Sequence, residues 1–169
     1  TGNQINPAVT ALDDGRFFRF TDVRKFGRFT LVEDARRPAC LDHVGPDMLE
    51  VRADDWLGRI AHRTAPIKAL LLDQGIAAGL GNIYVDESLF LCGVHPATRP
   101  CDLDEDTLRE VLKRGKSVMR TAINHGGTTF LNFTDFYGKP GNFRRKLRVY
   151  GRAGEPCRKC AAPSTGRMK

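Results

Sequence analysis

The sequence predicts an α+β protein, because strand-like, helical and glycine-rich stretches follow one another along its 169 residues. Short runs of β-branched and aromatic residues open the chain, and apolar residues at helical spacing fill its middle. Glycine, aromatic and cationic residues dominate its end. We therefore expect three parts, which comprise residues 1–35, 36–128 and 129–169.

The first part is predicted to consist of β-strands. Residues 9–12 and 16–20 flank the turn Asp13-Asp14-Gly15, which is a hairpin pattern. Residues 28–32 predict a further strand. The irregular stretch 36–46, which contains prolines and a glycine, predicts a domain boundary.

The second part is predicted to contain four helices, which begin near Asp54, Pro66, Asn82 and Leu103. The two aspartates at 54 and 55 are expected to cap the first helix. The last helix is expected to open with a capping box of Asp102 and Glu105 and to end at Gly126-Gly127. In the third part, residues 146–150 have the pattern of a strand.

Charge and apolar content narrow the classes of function. The chain carries 27 Lys and Arg against 20 Asp and Glu, a net charge of +7, which has the sign that a phosphate backbone attracts. No apolar run approaches the roughly 20 residues that cross a bilayer, so we expect no membrane span. The opening residues do not form a signal peptide. These observations favour nucleic acid over a membrane as the partner.

A glycine-flanked asparagine is the first candidate site. Gly79-Leu80-Gly81-Asn82 stands at the entrance to a predicted helix, where unpaired backbone amides attract anions and Asn82 adds a donor. Lys68 on the preceding helix could meet the same phosphate, and Arg63 belongs to the same cation cluster. The alternative is an ordinary interhelical turn with an asparagine cap beside a solvated charged face.

Two other patterns carry chemistry. Arg24 and Phe26 lie in a loop between predicted strands, and a cation with an aromatic wedge suits the filling of a gap left by an extruded base. The phenylalanine could equally fold into its own core. Cys157 and Cys160 form a CxxC pair, which is half of a tetrahedral zinc site. A redox pair and two unengaged thiols are the alternatives.

Several runs in the correct order resemble the formamidopyrimidine-DNA glycosylase family. They are residues 22–27, 66–74, 79–90, 93–96, 126–129, 138–141 and 149–160. The resemblance implies a remnant of an N-terminal β-sandwich, a helix–two-turn–helix domain and a truncated C-terminal zinc-finger hairpin.

The resemblance also implies an activity. The family excises oxidised purines, 8-oxoguanine and formamidopyrimidine, by base flipping and nicks the strand by β,δ-elimination, as a DNA glycosylase with AP lyase activity. The implied partner is damaged double-stranded DNA, the implied cofactor is one zinc ion, and we expect a cytoplasmic, DNA-associated monomer. The family's catalytic N-terminal proline and glutamate do not occur in this chain, so we expect it to bind DNA weakly and not to cut it. An endonuclease VIII-like enzyme for oxidised pyrimidines and a non-catalytic DNA-binding module are the alternatives.

Individual roles carry over by position. The resemblance assigns Arg24 to the orphaned base opposite the lesion, with Phe26 as the wedge beside it. It assigns Arg63 to a basic DNA contact, and Lys68 and Asn82 to phosphates near the flipped nucleotide. Cys157 and Cys160 match the first pair of zinc ligands. Asn142, Arg144 and Arg145 differ from the aromatic and glutamine residues usual near the family's lesion loop, which leaves the lesion preference open.

Overall fold

The computed structural model of the chain describes residues 8–20, 22, 27, 30, 32–34, 38–129 and 139–163. The chain divides into two compact units, residues 1–41 and 42–169. The described residues combine helices with a small two-stranded antiparallel sheet, which confirms the predicted mixture of α and β structure. The finer division into 1–35, 36–128 and 129–169 stays a prediction.

The first unit contains the predicted hairpin. Strands β1 (Ala8–Ala11) and β2 (Phe17–Phe20) pair antiparallel, with Ala8 opposite Phe20 and Ala11 opposite Phe17. Gly15 closes the turn with a φ of +83°, a conformation that glycine adopts without strain. The strand predicted over 28–32 lies mostly outside the described residues.

The second unit contains four α-helices. They are α1 (Ala53–Ile60), α2 (Ile67–Leu72), α3 (Asn82–Cys92) and α4 (Glu105–Asn124). Short 3₁₀ turns cover Ala39–Leu41, Pro100–Asp102 and Phe143–Lys146. No helix among the described ranges is both long and apolar enough to cross a membrane.

The predicted helix starts need two corrections. The N-cap of α1 is Arg52, and both predicted capping aspartates lie in the first turn, where Asp54 contacts Arg109 of α4 at 2.7 Å. The N-cap of α4 is Asp104, which accepts a 2.6 Å hydrogen bond from the amide of Thr107. The predicted capping box was wrong because Asp102 is bound by the guanidinium of Arg99.

The strand predicted over 146–150 was also wrong. Residues 143–146 form a 3₁₀ turn, and the next amides, those of Arg148, Val149 and Tyr150, all donate to the carboxylate of Glu87. Successive amides of a strand point to opposite sides, so three that converge on one carboxylate cannot belong to a ladder. A long-range contact has overridden the local pattern.

The core of the second unit lies where the helices meet, and α3 packs along α4. Its fully buried side chains include Trp56, Met48, Ile60, Ile67, Leu80, Leu89 and Leu108. A smaller cluster joins Val118 and Ala122 of α4 to Phe143 and Leu147. Apolar burial therefore holds the C-terminal stretch against the same two helices that form the main core.

Gly115 is buried in the middle of α4, and we expect Gly115→Ala to stabilise the protein. A Cβ there would lie 3.5 Å from Leu80 Cδ1 and 3.7 Å from Met48 Cε, which are ordinary contact distances. Alanine is favoured over glycine inside a helix by about 1 kcal/mol. Urea unfolding should show a gain of up to that size, and a loss of stability would contradict the packing described.

Gly79 provides the opposite case in the same region. Its φ is +118°, and a Cβ would lie 2.8 Å from Met119 Cε. We expect Gly79→Ala to lower the free energy of unfolding by more than about 1 kcal/mol, because the backbone conformation is strained for any L side chain. The two alanine variants, measured side by side, should change stability in opposite directions.

Candidate nucleic-acid interface

The N-terminus of α3 presents an exposed donor. Asn82 is the first residue of the helix and is exposed, while Gly81 before it is the N-cap, and no side chain caps the helix. The asparagine therefore is not the cap that the turn interpretation required. Its amide side chain and the first-turn backbone N–H groups together form a surface that suits an anion.

The turn that carries Asn82 is held from behind by Gln74. Its side-chain Oε1 accepts a 2.8 Å hydrogen bond from the amide of Gly79, and its Nε2 donates to the carbonyl of Leu80 at 3.0 Å. The side chain of Gln74 thus binds the backbone on both sides of the peptide bond between Gly79 and Leu80. This arrangement positions the start of α3 before any ligand arrives.

Lys68 lies beside this helix end through an ion pair. Its Nζ is 2.8 Å from Oδ1 of Asp86, and the two side chains are only 18% and 8% exposed. Asp86 follows Asn82 by four residues, so the two lie on the same face of α3. The predicted association of Lys68 with the asparagine therefore occurs through an intervening carboxylate, and the ammonium group stays at the edge of solvent.

The other predicted DNA-contact residues are placed differently. Arg63 is exposed in the turn that follows α1, and its Nε donates to the carbonyl of Arg59 at 3.2 Å. No contact described for Arg63 joins it to Lys68 or Asn82. Arg24 and Phe26 lie outside the described residues, so their roles stay predictions.

A second face of α3 holds the C-terminal stretch. The carboxylate of Glu87 is in a residue only 2% exposed and accepts four hydrogen bonds of 2.8–2.9 Å from the amides of Arg148, Val149 and Tyr150. Hydrogen bonds to an ionised acceptor are the strong kind. A buried charge is tolerated here because donors surround it, as desolvation otherwise requires.

The residues that precede 130 and those that follow 138 are hydrogen-bonded to each other. Thr128 pairs with Asn142 in an isolated antiparallel bridge, and the amide of Gly141 donates to Oγ1 of Thr129 at 2.8 Å. A Cβ on Gly141 would lie 2.2 Å from the carbonyl oxygen of Gly127, so only glycine fits there. Residues 128–129 and 141–142 therefore meet close to Tyr84 of α3, whose hydroxyl is hydrogen-bonded to Oγ1 of Thr128 at 3.3 Å.

The cysteine pair has a turn geometry that suits a metal thiolate. The amide of Lys159 donates to Sγ of Cys157 at 3.4 Å, and the amides of Lys159 and Cys160 lower the pKa of the Cys157 thiol. Within the ranges that the structure describes, no cluster of three or more His, Cys, Asp or Glu side chains could hold a metal ion. The pair thus fits half of a zinc site, and the described residues supply no second half.

Residues 44–134 match the model of the formamidopyrimidine-DNA glycosylase H2TH domain, the helix–two-turn–helix, which covers more than half of the chain. The chain belongs to the formamidopyrimidine-DNA glycosylase family.

Similar proteins agree with this assignment. The formamidopyrimidine-DNA glycosylase of Herpetosiphon aurantiacus is 43% identical over 157 residues, which cover 92% of this chain and 58% of that relative. The solved Fpg protein of Thermus thermophilus superimposes with a TM-score of 0.78 at 35% identity and covers 89% of this chain and 59% of its own. The Lactococcus lactis Fpg, solved with abasic-site DNA, gives a TM-score of 0.83 at 30% identity over 96% of this chain and 61% of its own. The chain thus spans about three fifths of each formamidopyrimidine-DNA glycosylase named here.

Sequence reasoning missed three residues that shape the site of this family member: Gln74, Asp86 and Glu87. One signal was present, because two consecutive acids interrupt the apolar pattern of α3 at positions 86 and 87. An acid on a buried helix face needs a partner, but its identity depends on contacts with distant residues. The Glu87 partners lie more than sixty residues away along the chain.

We expect Glu87→Gln to destabilise the protein strongly. Glutamine keeps one oxygen acceptor but replaces the other with an NH₂ group. The charge-assisted hydrogen bonds are lost, and the NH₂ group cannot accept from the backbone N–H groups that face it. The free energy of unfolding should fall by about 3 kcal/mol, from the value of hydrogen bonds to charged groups.

Glu105→Gln is the matched control, because that carboxylate is 66% exposed and pairs with Arg109 on the surface of α4. Its effect should stay below about 1 kcal/mol. Urea unfolding of both variants checks the difference, and equal effects would mean that the buried hydrogen bonds do not stabilise the fold.

Proposed function

We propose that this chain binds the sugar-phosphate backbone of damaged DNA within a base-excision repair enzyme. The enzyme is a bifunctional DNA glycosylase/AP lyase that flips and excises 8-oxoguanine and formamidopyrimidine and then nicks the strand. Family membership supports the reaction class. The Lactococcus lactis Fpg has been solved in complex with Fapy-dG-containing DNA and with abasic-site DNA, which supports the partner.

The observation that carries the proposal is the arrangement at the N-terminus of α3. An exposed asparagine, first-turn amides and the ammonium group of Lys68 lie along one face of the helix. Each is a donor, and although Asp86 balances the charge of Lys68, the partial positive charge of the helix N-terminus favours an anion. A phosphate of the DNA backbone has the charge and the acceptor oxygens to bind all three.

Asp86 gives Lys68 a defined position in this proposal. A lone lysine side chain is flexible, and ordering it on binding opposes affinity. The carboxylate holds the ammonium group beside Asn82 before DNA arrives and leaves it a net donor toward a phosphate. The site is therefore organised in advance rather than assembled on binding.

The remaining predicted parts belong to the same proposal. Arg24 would face the orphaned base with Phe26 as a wedge, and Arg63 would add a basic contact to DNA. Cys157 and Cys160 would supply two ligands of a structural zinc ion in a C-terminal hairpin. The β-sandwich remnant, the truncated zinc finger and the cytoplasmic, DNA-associated location also stay predictions.

Asn82→Asp separates binding from folding. The change is nearly isosteric, and a negative charge at a helix N-terminus stabilises the helix by about 0.3–1 kcal/mol. The same charge repels a phosphate and removes a donor, so we expect affinity for a duplex to fall at least about tenfold. Fluorescence anisotropy should show similar losses for plain and abasic-site duplexes. Unchanged affinity with a folded protein would reject the phosphate site.

The pair of Lys68 and Asp86 calls for a double variant. Lys68→Met alone leaves a buried carboxylate without its cation, which destabilises by about 3–5 kcal/mol. Adding Asp86→Asn removes that charge, so stability should largely return. DNA affinity should not return, because the ammonium group is still missing. Recovery of binding in the double variant would show that Lys68 acts only through the fold.

The reaction itself is tested on the complete gene product. We expect nicking of a duplex that contains 8-oxoguanine to exceed nicking of one that contains thymine glycol. A reversed preference would favour the endonuclease VIII-like alternative. Tight binding to both duplexes without cleavage of either would favour the non-catalytic module.

A further inference from the structure

The net charge of the chain is concentrated in one short stretch. Residues 139–163 contain eight Lys and Arg and a single acid, Glu155. Outside this stretch, the chain has 19 Lys and Arg and 19 Asp and Glu, which balance. The excess of +7 therefore belongs entirely to these residues, and a long-range field of the chain has its source there.

Part of that charge projects from a rigidly held turn. We call the 3₁₀ turn Phe143–Lys146 the basic turn, because its last three residues are Arg144, Arg145 and Lys146. All three are exposed, whereas Phe143 before them is 4% exposed and Leu147 after them is 3% exposed. The buried residues at both ends anchor the backbone of the turn, and its three cationic residues are exposed.

Two contacts fasten the basic turn to α3. The ring of Phe143 packs edge-on against Tyr84 in the first turn of α3, with centroids 5.7 Å apart. Directly after the basic turn, the amides of residues 148–150 bind Glu87. The turn therefore lies against the N-terminal half of α3, the helix that also carries Asn82.

The geometry of α3 relates the two features. Successive residues of a helix are 100° apart around its axis, and residues four apart share a face. Asn82 and Asp86 define the face that carries Lys68, and Ile83 and Glu87 define the next face, which holds the C-terminal stretch. Tyr84, which contacts Phe143 of the basic turn, is 200° around the axis from Asn82, so the candidate phosphate site and the basic turn lie on different faces of the same helix.

We propose that Arg145 and Lys146 of the basic turn bind phosphates of duplex DNA and extend the backbone contacts beyond those at the N-terminus of α3. This inference rests on the proposed DNA binding and deepens it. Exposed cations on a fixed backbone match a regular array of phosphates. Because phosphates are the same at every base, these contacts strengthen binding without choosing a lesion.

Salt dependence measures such contacts directly. Each phosphate neutralised by a cation releases counterions, so it adds about 0.9 to the slope of log Kobs against log salt concentration. The variant Arg145→Gln with Lys146→Gln should therefore lower the magnitude of the slope by about 2 for an undamaged duplex. Affinity for plain and abasic-site duplexes should fall by the same factor.

The matched control is Lys113→Gln with Arg120→Gln. These cations lie seven residues apart on one exposed stripe of α4, so the control removes the same charge from another surface. Its slope should remain that of the parent chain. Equal reductions in both double variants would overturn the inference, because the effect would then come from net charge rather than from local contacts.

The outcomes separate this inference from the proposed function. If the parent chain binds the duplex and Asn82→Asp weakens it, but the basic-turn variant keeps the parent slope, only the further inference is wrong. If the parent chain does not bind the duplex at low salt, both are wrong. Thermal unfolding of each variant confirms that it is folded, as the exposure of the substituted side chains predicts.

Discussion

The structure of the second unit depends on one buried carboxylate. Glu87 accepts hydrogen bonds from three consecutive amides and so attaches the stretch after the basic turn to α3. These amides would otherwise need a strand partner or water. One charged group binds all three amides, which holds the backbone of residues 148–150 against α3. The apolar contacts of Phe143 and Leu147 add to this attachment, but they do not specify the direction of the chain.

The neighbouring acid has a different effect. Asp86 lies next to Glu87 in sequence, yet the helix turns it by 100° toward Lys68. Two consecutive acids therefore serve two surfaces: one carboxylate binds backbone amides, and the other holds a cation at the edge of solvent. Asp86 positions the ammonium group of Lys68, and Glu87 positions the backbone of residues 148–150. These roles, rather than the stability of α3 alone, explain the two acids.

Sequence patterns predicted the structure correctly where interactions between neighbouring residues determine it. The hairpin follows from Asp13-Asp14-Gly15, and the end of α3 follows from Gly93, which has a φ of +69°. The start of α4 was mispredicted because Arg99 engages Asp102, a choice among nearby acids that spacing cannot resolve. For the candidate site, Lys68 and Asn82 were identified from the sequence, but Glu87 was not. Its partners are distant in the chain, and only the fold brings them together.

In the proposed function, the donors at the candidate interface would hold DNA without choosing a base. Asn82, Lys68 and the basic turn all present donors or positive charge, and such groups bind phosphates, which carry no sequence information. Selection of a damaged base requires groups that reach its edges or fill the gap that it leaves. In the proposed function, backbone binding would therefore set where the duplex lies, and the choice of lesion would depend on residues placed relative to it.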